Sequence, residues 1–322
     1  MLKEIREVVY LALMASLALA ISACGSTPTV IPVSTHTDFG NFGNPELVTI
    51  QGYTGLTEDP YITSDEKYLL FDSAGSSNVP ISLFYAKKID YKTFSFVGEI
   101  QGIGATEALS AAAPAIDTAG NLYFLTPRYA SQGISIAQGT FTDGVVTNLA
   151  PVVGISKQQS GWFNMGAIPS RDGQYLVFTD NGPRAVKSAD LPPGESSIVI
   201  AAKNADGTFT RLANSDELMK NVNTVRGVLN FSYGGGLSSD DLEIFFVAPL
   251  FGDPDHSIYV ARRASITEPF DVAQKLDTGP GGPAGLAEGS SISLDGKHFY
   301  YHKVVDSGLS TARTALYVLS RQ

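Results

Sequence analysis

The chain has 322 residues, of which 22 are Lys or Arg and 32 are Asp or Glu, for a net charge of −10. That balance, with no cluster of Lys or Arg, argues against nucleic acid and anionic lipid headgroups as partners. A single cysteine excludes an intramolecular disulfide, so the 32 Gly, 17 Pro, 17 Phe and 14 Tyr must build a turn-rich, strand-rich core without covalent staples.

In chain order, Lys3 and Arg6 precede an apolar run from Val8 to Ala20, too short to span a bilayer comfortably but of the right length for a secretory h-region. The run ends in Ile21, Ser22, Ala23 and Cys24. This resembles the bacterial lipoprotein lipobox, a branched aliphatic, two small residues and an obligatory cysteine. The resemblance implies that residues 1–23 are a lipoprotein signal peptide and that Cys24 becomes the lipidated first residue of the exported chain. Removing 1–23 takes away two bases and two acids and leaves the net charge at −10. Residues 24–45 are rich in Gly, Ser, Thr and Pro and lack strand alternation, which predicts a flexible tether. Several acyl chains on one residue give stable anchoring without a membrane span. Gly25 after the cysteine resembles outer-membrane sorting in a double-membraned bacterium, so the expected location is the outer membrane.

From residue 46 to 322 one ten-residue phrase recurs five times: ITSDEKYLLF (62–71), AIDTAGNLYF (115–124), PSRDGQYLVF (169–178), LSSDDLEIFF (237–246) and ISLDGKHFYY (292–301). Its last aromatics, Phe71, Phe124, Phe178, Phe246 and Tyr301, lie 53, 54, 68 and 55 residues apart, a propeller-blade period. Each phrase reads as a strand, an Asp-Gly type turn and a second strand. Third strands follow at 82–88, 134–139, 197–203, 257–263 and 315–321, and weaker fourth strands at 94–100, 145–151, 209–214 and 270–276. Four strands per unit make a blade. The expected fold is therefore all-β, a single five-bladed β-propeller.

The fifth copy runs into the C-terminus with no room for an outer strand. ELVTIQG (46–52) has no blade of its own and is expected to add that strand to the last blade, closing the ring and removing an open edge. A short helix is expected at Ser215–Asn223, capped by its serine. The phrases SRDGQYLVF and SLDGKHFYY, each followed by an Ile-Val or Tyr-Val strand, resemble the WD40-like or TolB-like propeller repeat. Such a repeat specifies fold and leaves activity open. The recurring Asp65, Asp172, Asp240 and Asp295 are expected to form turns, and blade two departs from the pattern with Ala119.

Loops entering the first strands should meet at one mouth of the channel. They carry Tyr53, Glu58, Asp59, Trp162, Arg226, Tyr233 and Glu288, aromatics and charges suited to a carbohydrate or peptide surface. TEDPYITSDEKYLLF (57–71) also resembles the opening blade of the five-bladed arabinanase and β-xylosidase glycosidases. That resemblance makes Asp59 the general base and lets Asp117 match the aspartate that tunes the acid. The family's glutamate acid on the third blade has no counterpart, since FNMGAIPS (163–170) lacks a carboxylate, and hydrolysis needs both groups. No GxSxG, HExxH, phosphate loop or calcium loop is present, so no cofactor or metal is expected. His298 and His302 share a strand and are expected to serve packing and the rim. The expectation is a monomeric, lipid-anchored envelope propeller that binds a protein or glycan without catalysis, with a divergent glycosidase using Asp59 as the alternative.

Overall fold

The computed structural model describes residues 42–73, 80–104, 110–182, 196–225, 233–248, 257–278, 287–306 and 313–322, with backbone only for Tyr233, Gly234, Ser290, Asp306 and Arg313. The signal peptide, Cys24, Arg226 and all of the tether before Phe42 lie outside the described residues. Among the described residues, no helix is long and apolar enough to cross a membrane.

Two short strands, β1 (Glu46–Leu47) and β2 (Thr49–Gln51), come first. Blade 1 then holds β3 (Glu58–Ile62), β4 (Tyr68–Asp72), β5 (Leu83–Lys88) and β6 (Thr93–Glu99). Blade 2 holds β7 (Ala112–Ile116), β8 (Asn121–Leu125), β9 (Ile136–Thr142) and β10 (Val145–Pro151). Blade 3 is β11 (Phe163–Pro169), β12 (Tyr175–Asn181), β13 (Ser196–Lys203) and β14 (Phe209–Arg211). Blade 4 is β15 (Tyr233–Leu237), β16 (Glu243–Val247), β17 (Ile258–Arg262) and β18 (Gln274–Lys275). Blade 5 contributes β19 (Ala287–Ile292), β20 (His298–Asp306) and β21 (Arg313–Ser320). Consecutive strands pair antiparallel in every blade, and the inner strands β3, β7, β11, β15 and β19 touch in ring order. The five-bladed propeller read from the repeat is the fold of the chain.

The ring closes as expected, but over a shorter stretch than 46–52. β1 pairs antiparallel with β21, Glu46 opposite Val318, and completes blade 5 as its fourth strand. Val48, 7% exposed, then sinks into the seam, and β2 crosses to pair parallel with β6 as a fifth strand of blade 1. One segment thus ties first and last blades together. Glu46 reinforces the tie by accepting from Tyr91 Oη at 2.9 Å and from Lys92 Nζ, both on the β5–β6 turn.

The aspartates of the repeat do form turns. In blades 1, 3, 4 and 5 a hydroxyl donates to the aspartate two residues on: Thr63 to Asp65 at 2.7 Å, Ser170 to Asp172 at 2.7 Å, Ser238 to Asp240 at 2.5 Å, Ser293 to Asp295 at 2.6 Å. The same hydroxyl accepts the amide five residues on, at Tyr68, Tyr175, Glu243 and His298, which opens the second strand. Blade 2 reaches this result with one residue. Asp117 takes the hydroxyl position and accepts from Ala119 N and Asn121 N at 2.9 Å and from Asn121 Nδ2 at 2.7 Å.

The core lies in five seams between blades. The aromatics that end the phrase, Phe71, Phe124, Phe178, Phe246 and Tyr301, are each at most 1% exposed, and each contributes about 1.5–3 kcal/mol by leaving water. The expected helix is present as two short turns, Ser215–Leu218 and Lys220–Asn223, broken at Met219. Ser215 does not cap it: its hydroxyl accepts Ile200 N at 3.1 Å and pins the insertion to β13. Leu218, Met219, Val222 and Val225 then fill the seam between blades 3 and 4.

Candidate functional site

Each inner strand starts at one mouth of the channel and ends at the aspartate turns of the other. At the starting mouth, the residue facing across from inner to second strand differs from blade to blade. The five pairs are Glu58 with Asp72, Ala112 with Leu125, Met165 with Thr179, Tyr233 with Val247, and Glu288 with His302. Both members are ionisable in blades 1 and 5 only. These blades are neighbours across the closing seam, so the ionisable groups collect on one wall.

A bulge follows each inner pair, and in blades 1, 2, 3 and 5 the residue after the pair takes a left-handed backbone: Asp59 at φ 45°, Ala113 at 51°, Gly166 at 50° and Gly289 at 68°. Glycine suits such a bulge, whereas Asp59 and Ala113 are strained there, at a cost of about 1–3 kcal/mol each. Their backbone amides are put to use. Asp59 N donates to His302 Nδ1 at 3.1 Å, and Ala113 N donates to Asp72 Oδ2 at 2.8 Å. A Cβ on Gly289 would meet Asp59 Oδ1 at 2.8 Å and His302 Nδ1 at 3.1 Å, so its absence lets blade 5 approach.

The carboxyls are mostly out of water: Glu58 is 5% exposed, Asp72 1% and Glu288 8%, while the Asp59 side chain keeps 32% of its surface open. Burial pushes Glu58 up to about 7, with Asp59 and Glu288 adding repulsion and His302 opposing it. Burial also raises Asp59, against the pull of His302, and raises Asp72 well above the usual carboxylate range, helped by the charges of Asp59 and Glu58. Asp72 accepts only Ala113 N, through Oδ2, and its Oδ1 has no partner, so of the two aspartates the open Asp59 is the better placed to carry the charge. His302, 1% exposed, accepts through Nδ1, which places its proton on Nε2; that atom has no partner.

Of the residues expected at the mouth, Glu58, Asp59 and Glu288 come together here. Tyr53 does not: its ring packs on Phe71, Phe84 and Phe96 at centroid distances of 5.2, 5.6 and 4.9 Å. Trp162 is half-buried on blade 3 with Lys157 Nζ 3.6 Å over its ring. Tyr233 opens β15, its side chain outside the described residues. Asp117 is at the opposite end of the channel, held in its turn, and cannot tune an acid at this mouth. His298 packs on Tyr91 at 4.6 Å as expected, but His302 belongs to the acid wall. Sequence reading missed Asp72 and His302, although both follow the last aromatic of their phrase, where the other blades carry Leu125, Thr179 and Val247.

Blade 3 shows a different arrangement at the same mouth. Its buried Asp180 accepts from both guanidinium nitrogens of Arg211 at 2.7 Å and from Asn164 Nδ2 at 2.7 Å, and Lys157 Nζ lies 3.2 Å away. A carboxylate tied this way is a structural anchor. Among the described residues, no group of three or more His, Cys, Asp or Glu side chains could hold a metal ion.

Solved five-bladed propellers share this architecture. The endo-arabinase of Bacteroides thetaiotaomicron overlays with a TM-score of 0.52 at 17% identity, over 86% of this chain and 97% of that one. A family 117 glycoside hydrolase from Zobellia galactanivorans gives 0.52 at 12% identity, over 88% and 90%. TolB from Acinetobacter baumannii gives 0.44 at 16% identity, over 83% and 55%, too loose a fit to carry an argument. These likenesses establish the fold alone. No family model and no curated relative matches the chain.

Proposed function

We propose that the protein is a lipid-anchored propeller of the cell envelope that binds a glycan at the channel mouth without hydrolysing it. The observation that carries this reading is the one-sided placement of the acids. A glycosidase needs an acid and a base flanking the anomeric carbon, roughly 5–9.5 Å apart. Here the channel-mouth carboxyls among the described residues sit together on blades 5 and 1, three of them buried, while blade 3 presents Asn164 and Met165 and has its Asp180 locked. Protonated carboxyls beside a charged one supply both donors and acceptors, a combination suited to sugar hydroxyls. Two of the propellers with the same fold are named as glycan hydrolases, which supports a sugar over a protein ligand by analogy.

A second reading has its own support. Glu58 keeps its proton up to about pH 7 beside the charged Asp59, the protonation pattern of an acid and base pair. Calorimetric titration of the exported chain with arabinan and other envelope or plant oligosaccharides, alongside a reducing-sugar assay, separates the two. Binding without product formation supports the binding reading; product formation that stops in Asp59→Asn makes the chain a hydrolase. The anchor rests on the lipobox sequence and has its own test. Cys24→Ala should lose both membrane partition and incorporation of labelled fatty acid; retention of both would overturn the lipoprotein assignment.

A further inference from the structure

The acid wall lacks something that two other buried acids of the chain possess. Asp180 is held by Arg211 and Lys157, and Glu243, 2% exposed, by Arg262 at 2.9 Å and Arg321 at 3.0 Å. Among the described residues, Glu58, Asp59 and Asp72 have no Lys or Arg partner, and their one basic neighbour is His302. His302 Nδ1 accepts from Asp59 N at 3.1 Å and lies 3.6 Å from Asp59 Oδ1, so among the described residues no permanently charged side chain faces the Asp59 carboxylate. Buried acids are normally paired, and an unpaired set beside an open surface marks a place for a ligand's charge. Asp59 provides that opening, since 32% of its side chain remains exposed at the channel. His302 adds an independent sign: buried to 1%, packed against Asp59, it carries an Nε2 donor with no acceptor.

We propose that the wall formed by Asp59, Glu58 and Asp72 with His302 recognises a sugar bearing an unsubstituted ammonium group. The ammonium stands against the open Asp59 carboxylate as the missing cation. A neutral acetamide at the same position would leave the carboxylate uncompensated, so the site discriminates on charge. Acidic sugars are rejected by the same wall. This inference rests on the glycan reading above and narrows it to cationic amino sugars.

The test is a calorimetric titration of the exported chain with a glucosamine tetramer and with its fully N-acetylated counterpart, at a pH where the amines are charged. The expected result is binding of the amine form at least about tenfold tighter than the acetylated form, a preference lost in Asp59→Asn. Equal affinity for the two forms overturns the ammonium inference and leaves glycan binding standing; binding of neither, with other oligosaccharides also silent, overturns the glycan reading. Calcium chloride or sodium chloride that competes at one-to-one stoichiometry, or heat from calcium alone that vanishes in Asp59→Asn, would show an inorganic cation site and refute the proposal. Where Asp59→Asn fails to fold, Asp59→Gly, which suits the left-handed backbone at φ 45° and also removes the carboxylate, must still abolish the preference for amine over acetamide.

Discussion

Replacing Glu58 by Gln changes the charge of the acid wall while keeping its shape. Glu58 is 5% exposed, and burial, with repulsion from Asp59 and Glu288, lifts its pKa from 4.5 to about 7. Below pH 4.5 the carboxyl is protonated in folded and unfolded chains alike and makes no difference. Between 4.5 and about 7 the unfolded chain releases the proton while the folded one retains it, so stability falls as pH rises, and above 7 the whole penalty is present. At 1.36 kcal/mol per pH unit, the gap amounts to roughly 3 kcal/mol. Gln cannot ionise. Glu58→Gln should therefore match the parent near pH 4.5 and exceed its stability by about 3 kcal/mol near pH 8. Urea unfolding at acidic, neutral and mildly alkaline pH, followed by far-UV circular dichroism, gives the difference directly. Equal pH slopes in the two proteins, or a Gln variant weaker than the parent at pH 8, would show that Glu58 ionises freely and that the wall is not desolvated.

Four further outcomes can be measured on the same unfolding assay. Arg211→Met strips the bidentate partner from Asp180 and should cost about 3 kcal/mol, since a buried charge left half-compensated is expensive. Gly154→Ala should cost at least about 2 kcal/mol, because φ is 98° and the new Cβ would lie 1.8 Å from Phe209 O. Tyr53→Ala should lose about 3 kcal/mol of stability with ligand affinity unchanged, separating its packing on Phe71, Phe84 and Phe96 from any role at the mouth. Deleting the chain through Leu47 removes β1, exposes the edge of β21 and should both lower the melting temperature and promote association visible by size-exclusion chromatography.

The blades could be read in the sequence because every copy must solve the same local problem. A hydroxyl, an aspartate and a glycine-like residue set the turn, and the aromatics that follow must bury on both faces. Where one residue could meet two demands, the reading was incomplete: Asp117 in the second blade resembles an aspartate that tunes a catalytic acid only until its carboxylate is seen to replace both the hydroxyl and the aspartate of the turn. The closing strand was legible as spare strand sequence, but its division between two blades depends on Val48 entering the seam, a tertiary choice that alternation cannot show. Asp59 was legible beside its proline, whereas Asp72 and His302 end strands whose interior residues carry the pattern. Aligning the five copies by position, and not only by motif, exposes them, because both occupy the same register in adjacent blades.

The position of the acid wall has a consequence for assembly. Glu58, Asp59 and Asp72 come from the first blade and Glu288 and His302 from the last, so the bond from Asp59 N to His302 Nδ1 joins residues 243 apart in the chain. Every other seam is made by consecutive blades and can form locally, whereas this one exists only after the ring has closed and its loop entropy has been overcome. Placing mutually repelling carboxyls at that junction opposes closure, and β1, β2 and Glu46 supply the compensating contacts on the outer side of the same two blades. A ligand cation at Asp59 would relieve the repulsion directly and so favour the closed ring. Occupancy and closure are then thermodynamically linked: what binds at the mouth stabilises the seam, and a chain lacking its N-terminal strands should bind more weakly even though none of the removed residues touches the site.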